Sequence, residues 1–280
     1  MLQDLHILDL LELAGSQAKA GLALAMHQST VCRSLRLLQQ ELRLEPAKGA
    51  AICRHGHNTC LKHLRLAYRA HRLMEGVLRL GSDALHHSLI SRLNNVQQVP
   101  PRFRSAEQWA QLIRHGLLDG AVLSSLGLEQ RLLSGQVPRW DGLAAKPLGT
   151  VALQLVATSP TAKRVLLPNK ATTPLLHQTL DWHGLKIETQ PSACQEPAAW
   201  LKRARDRGAA LPICPALVGE PWLAANGLVV LQKQPPLVEQ LWLLVPEGTA
   251  NNNAARQLLR QLRSQISAIQ AMQDPHGSQA

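Results

Sequence analysis

Between Gln28 and Leu42 the apolar residues Val31, Leu35, Leu38 and Leu42 follow at steps of four, three and four. That spacing draws one buried stripe along an α-helix and leaves Gln28, Ser29, Cys32, Arg33 and Arg36 on the opposite face. The residues before it repeat the period on a smaller scale. Leu5, Leu8 and Leu11, widened by Leu10 and Ala14, predict a helix over Asp4–Ala14. Gly15 and Ser16 interrupt it, and Ser16 can cap a short second helix over Gln17–Ala25, in which Ala20 and Leu24 share a face. Met26 and His27 make a tight break before the long stripe. A short helix, a brief turn and a longer helix with an apolar back and a basic front form a helix-turn-helix, whose second helix can enter the major groove of duplex DNA.

The front of that helix carries suitable chemistry. Gln28, Arg33 and Arg36 can make paired hydrogen bonds to base edges, while Ser29, Thr30 and the arginines can hold phosphates. Any solvated amphipathic helix would also turn polar and basic groups outward, so the pattern alone leaves both readings open. The net charge of +11 favours a polyanionic partner such as nucleic acid, although acidic lipids or metabolites are drawn by the same field.

At 280 residues the chain is long enough for two or three folded units. No run of eighteen apolar residues occurs, and Asp4, Asp9 and Glu12 break up the leucines at the start, so neither a membrane span nor a secretory signal is expected and the location is read as cytoplasmic. The five cysteines, Cys32, Cys53, Cys60, Cys194 and Cys214, are odd in number and widely spaced, which suits free thiols in a reducing compartment. HExxH, paired-cysteine, GxSxG, GxGxxG and P-loop motifs are all missing, and His86 and His87 point to opposite sides of one helix. No enzyme activity, metal or cofactor is expected.

From Asn58 to Gly76 the sequence is rich in helix formers. Thr59 can cap the helix, and Leu61, Leu64 and Tyr68 begin a seam widened by Leu66, Leu73 and Met74. The seam can pair with a second copy or pack on the chain's own C-terminal part; His71 interrupts it before several heptads accumulate. Beyond it strands and helices alternate. Strands are expected at Val77–Leu80, Val99–Arg104, Ala121–Leu123, Val151–Ala157, Arg164–Leu167, Lys186–Thr189, Leu228–Leu231 and Leu241–Val245, with helices at Asp83–Leu93 and Glu107–His115. Such alternation predicts an α/β fold with a largely parallel sheet. The tail Gln270–Ala280 is expected to be disordered.

The segment Ser16–Leu42, SQAKAGLALAMHQSTVCRSLRLLQQEL, resembles without a gap the DNA-binding signature of LysR-type transcriptional regulators. His27, Cys32 and Gln39 depart from it, and the family's wing signatures are lost in RLEPAKGAAICRHGHNT, leaving a short wing around Ala47–Arg54. Farther on, Leu78, Arg79, Leu80 and Gly81 resemble the first strand of the family's effector domain. Gly116, Leu118, Asp119, Ala121 and Val122 resemble a later strand entry, and Pro147–Ala162 the strand that crosses to the second lobe.

The resemblance implies a multidomain α/β architecture: a winged helix-turn-helix over 1–57, a linker and dimerisation helix over 58–76, and over 77–280 a two-lobed α/β effector domain resembling type 2 periplasmic binding proteins. Lobe I would span about 77–155 and 231–270, and lobe II about 156–230. It implies DNA contacts from Gln28, Ser29, Thr30, Arg33, Arg36, Lys48 and Arg54, and a cleft in which Ser82, Ser124 and Ser192 bind a small anionic metabolite. Double-stranded DNA, a small-molecule effector and a homodimer or homotetramer are the implied partners. The alternative is a diverged member that senses a ligand or assembles with proteins and binds little specific DNA.

Overall fold

The first helix, α1 (Leu2–Ala14), buries Leu5, Ile7, Leu8, Leu10, Leu11 and Leu13, which lie all round its circumference. A helix with no polar face has to be covered on more than one side. The computed structural model of the chain, which describes residues 2–47, 49–133, 135–189 and 197–273, shows what covers it. On one side α2 (Gln17–Ala23) and α3 (Gln28–Glu41) close a core of Leu5, Leu8, Leu11, Ala20, Val31, Leu35 and Leu38. On the other, Leu10 and Leu13 join Trp109, Ile113, Leu118 and Leu244 of the C-terminal part. Lys48, Ser192 and Cys194 lie outside the described residues.

Local chemistry fixes the helix-turn-helix. The Ser16 hydroxyl accepts the Lys19 amide at 3.3 Å and starts α2, and Ala25, at φ 52°, makes the left-handed turn that ends it. The turn folds back so closely that a Cβ on Gly21 would stand 2.7 Å from the Met26 carbonyl. His27 does cap α3, its Nδ1 accepting the Ser29 amide at 3.3 Å.

Residues 43–58 contain no strand among the described residues. The loop is drawn together by the Ala47 amide donating to the Arg54 carbonyl at 3.1 Å. The helix that follows, α4 (Thr59–Met74), is capped by Asn58 rather than Thr59: the Asn58 side chain accepts the Leu61 amide at 2.8 Å and donates to the Leu42 carbonyl at 2.6 Å. An amide can do both, which a threonine hydroxyl in this place could not match in reach.

The remaining elements are β1 (Leu78–Gly81), α5 (His87–Ser91), β2 (Val96–Gln98), α6 (Ala106–Arg114), β3 (Gly120–Ser124), β4 (Leu143–Ala157), β5 (Arg164–Leu167), α7 (Pro174–Trp182), β6 (Lys186–Thr189), α8 (Pro197–Arg207), β7 (Leu211–Ile213), α9 (Pro215–Val218), α10 (Glu220–Ala225), β8 (Val229–Val230), β9 (Leu237–Pro246) and α11 (Asn253–Gln273). The fold is α/β, but its main sheet is mixed, in the order β2-β1-β3-β9-β4-β7 with β8 also on β4. β2, β1 and β3 run parallel, as do β5 and β6 in a separate pair, whereas β9, β4, β7 and β8 pair antiparallel. The expectation of a largely parallel sheet fails because the two long strands, β4 and β9, lie side by side in opposite directions. They carry the chain from one group of helices to the other and back.

Three expected elements change for identifiable reasons. The helix expected from Asp83 begins only at His87, because the Asp83 carboxylate accepts the Leu85 and His86 amides at 2.9 and 3.1 Å and holds a turn. The strand expected at Val99–Arg104 lies at Val96–Gln98, since Pro100 and Pro101 have no N–H to give a sheet ladder. The tail is ordered through Gln273: Gln270 donates to the Thr150 hydroxyl and Gln273 to the Ala152 carbonyl, each at 2.9 Å, extending α11 along β4.

Candidate functional site

Gln28, Ser29, Thr30, Arg33 and Arg36 are all exposed on α3, opposite the buried Val31, Leu35 and Leu38. The first turn is organised. Gln28 donates its side-chain amide to Gln17 on α2 at 3.2 Å, and the Ser29 hydroxyl lies 2.8 Å from His27 Nδ1. Gln17, which sequence reading passed over, thus orients the first side chain of the exposed row. Arg54 stands apart from this group: its guanidinium is 3.6 Å from the buried carboxylate of Glu12 on α1, so of the two loop residues expected to touch DNA, Lys48 and Arg54, the one with a described position is tied inward.

Behind this face lies a charge network that joins the helical N-terminal part to the α/β domain. Leu61, Arg65, Arg69 and Arg72 fall at steps of four, four and three and form the buried face of α4. Arg65 reaches Asp9 at 2.7 Å, and the same carboxylate takes Arg79 at 2.8 Å. Asp119 receives Arg69 at 3.3 Å, Arg72 at 2.6 Å and the Arg79 amide at 2.7 Å. Arg69 also donates to the carbonyls of Ile113 and Leu118, and the Arg72 guanidinium lies 4.9 Å over the Tyr68 ring. His6 accepts from Arg79 at 2.9 Å, and burial, with the Arg79 charge beside it, lowers its pKa to about 4. Arg104 caps the end of α1 by donating to the Leu13 carbonyl at 2.7 Å, and burial pushes its pKa down to about 9. Buried ion pairs are costly unless every charge is answered. Here two carboxylates answer four guanidiniums, helped by backbone carbonyls and the Gln97 and His6 side chains, while Arg72 Nη1 is buried without a hydrogen-bond partner among the described residues.

The Leu61, Leu64 and Tyr68 seam belongs to the same contact. Leu61 is fully buried in the helix-turn-helix core, with Leu64 and Tyr68 packed against it. The outward residues of α4 include Lys62, His63 and His71.

The cleft of the α/β domain is bordered by Asp83, His86, Arg104, Ser124, Thr172, Thr173 and Glu239. It is nearly closed: the space left is about 20 Å³, room for roughly one water molecule. The side chains that fill it form a chain of charges. His86 donates from Nδ1 to Asp83 and from Nε2 to Glu239, each at 2.8 Å, and the Ser124 hydroxyl donates to the other Glu239 oxygen. Burial alone would lower the His86 pKa, but the carboxylates of Asp83 and Glu239 outweigh it and raise it well above the ordinary value. Ser124 thus borders the cleft, whereas Ser82 is fully buried with its hydroxyl 3.4 Å from His87 Nδ1. Glu239 and His86 were not legible as a pair, being 153 positions apart in the sequence.

A helix-turn-helix, a connecting helix and an α/β domain with a cleft beside two crossing strands define the class of fold. Among solved structures, a hydrogen-peroxide-bound mutant of OxyR from Corynebacterium glutamicum superposes with a TM-score of 0.50 at 14% identity, over 99% of this chain and 96% of that one. ArgP from Mycobacterium tuberculosis gives 0.49 at 16% identity over 94% and 96%, and full-length LysG from Corynebacterium glutamicum with bound effector Arg gives 0.46 at 15% over 96% and 98%. At these identities the likeness is one of fold, and the OxyR superposition extends it to nearly the whole chain. No family model and no curated protein sequence matches.

Proposed function

We propose that this chain is a LysR-type transcriptional regulator, not an enzyme, that reads double-stranded DNA with α3 and responds to a small anionic metabolite in the cleft of its α/β domain. The observation that carries this reading is the exposed row Gln28, Ser29, Thr30, Arg33 and Arg36 on a helix held by a complete helix-turn-helix. The cleft supports an anion because a carboxylate already sits in it: Glu239 takes the Ser124 hydroxyl and the His86 imidazolium. An incoming anion would compete for those donors and displace the Glu239 side chain, which stands on β9. Pairing with a second copy, as a homodimer or homotetramer on an inverted repeat, belongs to the same reading. Lys48 and Ser192 remain part of it as a phosphate contact and a cleft donor.

The second reading, a diverged sensor with little specific DNA binding, draws support from the loop at 43–58, which has no strand among its described residues, and from Arg54 turned toward Glu12. Genome-wide enrichment with the native protein, followed by binding at controlled salt to the recovered sites, separates the two. A few sharp promoter sites, bound about tenfold to a hundredfold more weakly by Arg33→Ala, support the regulator. Salt-sensitive background alone, or unchanged affinity in folded Arg33→Ala, favours the second reading.

A further inference from the structure

Cys53 and His57, from the loop after α3, meet His115 at the end of α6. One ligand atom from each, the Cys53 sulfur and a ring nitrogen of each histidine, lies within 4.8 Å of the others. Cys53 holds a left-handed backbone, φ 53°, uncommon for a residue with a Cβ, and the turn closes as the Gly56 amide donates to the Cys53 carbonyl at 3.1 Å. Cys53 is buried, with 7% of the residue exposed. The two histidine rings meet edge to face with centroids 4.4 Å apart. His115 Nδ1 is buried and has no hydrogen-bond partner among the described residues. A buried polar atom left unanswered is costly and calls for an explanation.

Arg65 Nη1 lies 3.9 Å from the Cys53 sulfur, placed to donate to a thiolate once one forms. A thiolate with two imidazoles suits a borderline transition-metal cation and not oxygen-seeking Mg²⁺ or Ca²⁺. A bound cation of this kind would need the three donors at about 2.0–2.3 Å from it.

We propose that Cys53, His57 and His115 form a three-ligand site for a cation of the Zn²⁺ class, with a fourth position left to water. On binding, the Cys53 proton passes to solvent and a metal–sulfur bond forms. Two ligands come from the N-terminal part and one from the α/β domain, so the cation fastens the loop after α3 to α6. The site stands on its own geometry and does not depend on the regulatory reading.

The test is titration of the metal-free full-length protein with Co²⁺, a spectroscopic stand-in for Zn²⁺. The expected result is one equivalent bound with tetrahedral visible bands and a near-ultraviolet thiolate band, both removed by Zn²⁺. Cys53→Ser should lose the thiolate band, and His57→Ala, at an exposed position that leaves the fold intact, should weaken binding at least about tenfold. Cys60→Ser should change nothing. A wild type without the thiolate band, or His57→Ala and Cys53→Ser titrating as the wild type does, overturns the site.

Discussion

Asp119 answers two buried guanidiniums, and Arg69 and Arg72 have no other carboxylate within ion-pair distance among the described residues. Removing its charge would leave both cations buried and unanswered, which in other proteins costs about 3–5 kcal/mol. Asp119→Ala should lower the unfolding free energy in urea by that amount, whereas Ala at the exposed Asp181 should shift it by no more than about 0.5 kcal/mol. Equal effects would show that the network adds nothing to stability. Arg79 and Asp119 stand out in the sequence through their place in the strand motifs. Their pairing does not, because a charged residue read in sequence is assigned to solvent and only the folded chain brings Asp9 and Asp119 to the arginines.

At the scale of elements, the close seating of α4 depends on Gly116, which ends α6. Its φ is 77°, and a Cβ there would stand 2.9 Å from Arg65 Cβ. Alanine would suffer both the left-handed backbone and the clash with a helix that cannot retreat without pulling Arg65 from Asp9. Gly116→Ala should therefore destabilise by about 1–3 kcal/mol in thermal unfolding. The same change at Gly184, also at positive φ but with open space around its Cβ position, should cost only the backbone share. Helix periodicity located α3 and α6 well, because each has a clear apolar stripe. At α4 it found the helix and the Leu61, Leu64 and Tyr68 seam but not the three buried arginines beside Leu61, because apolar period carries no information about charged residues.

For the whole molecule, pH acts on the seam between the N-terminal helices and the α/β domain through His6. Its pKa is about 4 in the fold against roughly 6.5 unfolded, so the neutral ring that accepts from Arg79 is favoured in the native state. Between these values the unfolded chain binds the extra proton, so this contribution is present above about pH 6.5 and is lost as pH falls toward 4. His86 works with the opposite sign: its raised pKa stabilises below about pH 6.5, and that gain fades as pH rises through the elevated value. Urea unfolding of the wild type and His6→Gln from pH 4 to 7 should show a flatter acid limb in the variant. Superimposable limbs would remove His6 from the account.

The sequence by itself determined the helix-turn-helix, the outward row from Gln28 to Arg36 and most strands of the α/β domain, because these rest on apolar period, local caps and turn residues a few positions apart. Only the tertiary structure decided the mixed sheet, the arginine face of α4, the closing of the cleft by Glu239 and His86, and the meeting of Cys53 and His57 with His115. Each of these joins groups far apart along the chain through charge, hydrogen bonding or strand direction, and none of those leaves a periodic mark on the residues in between.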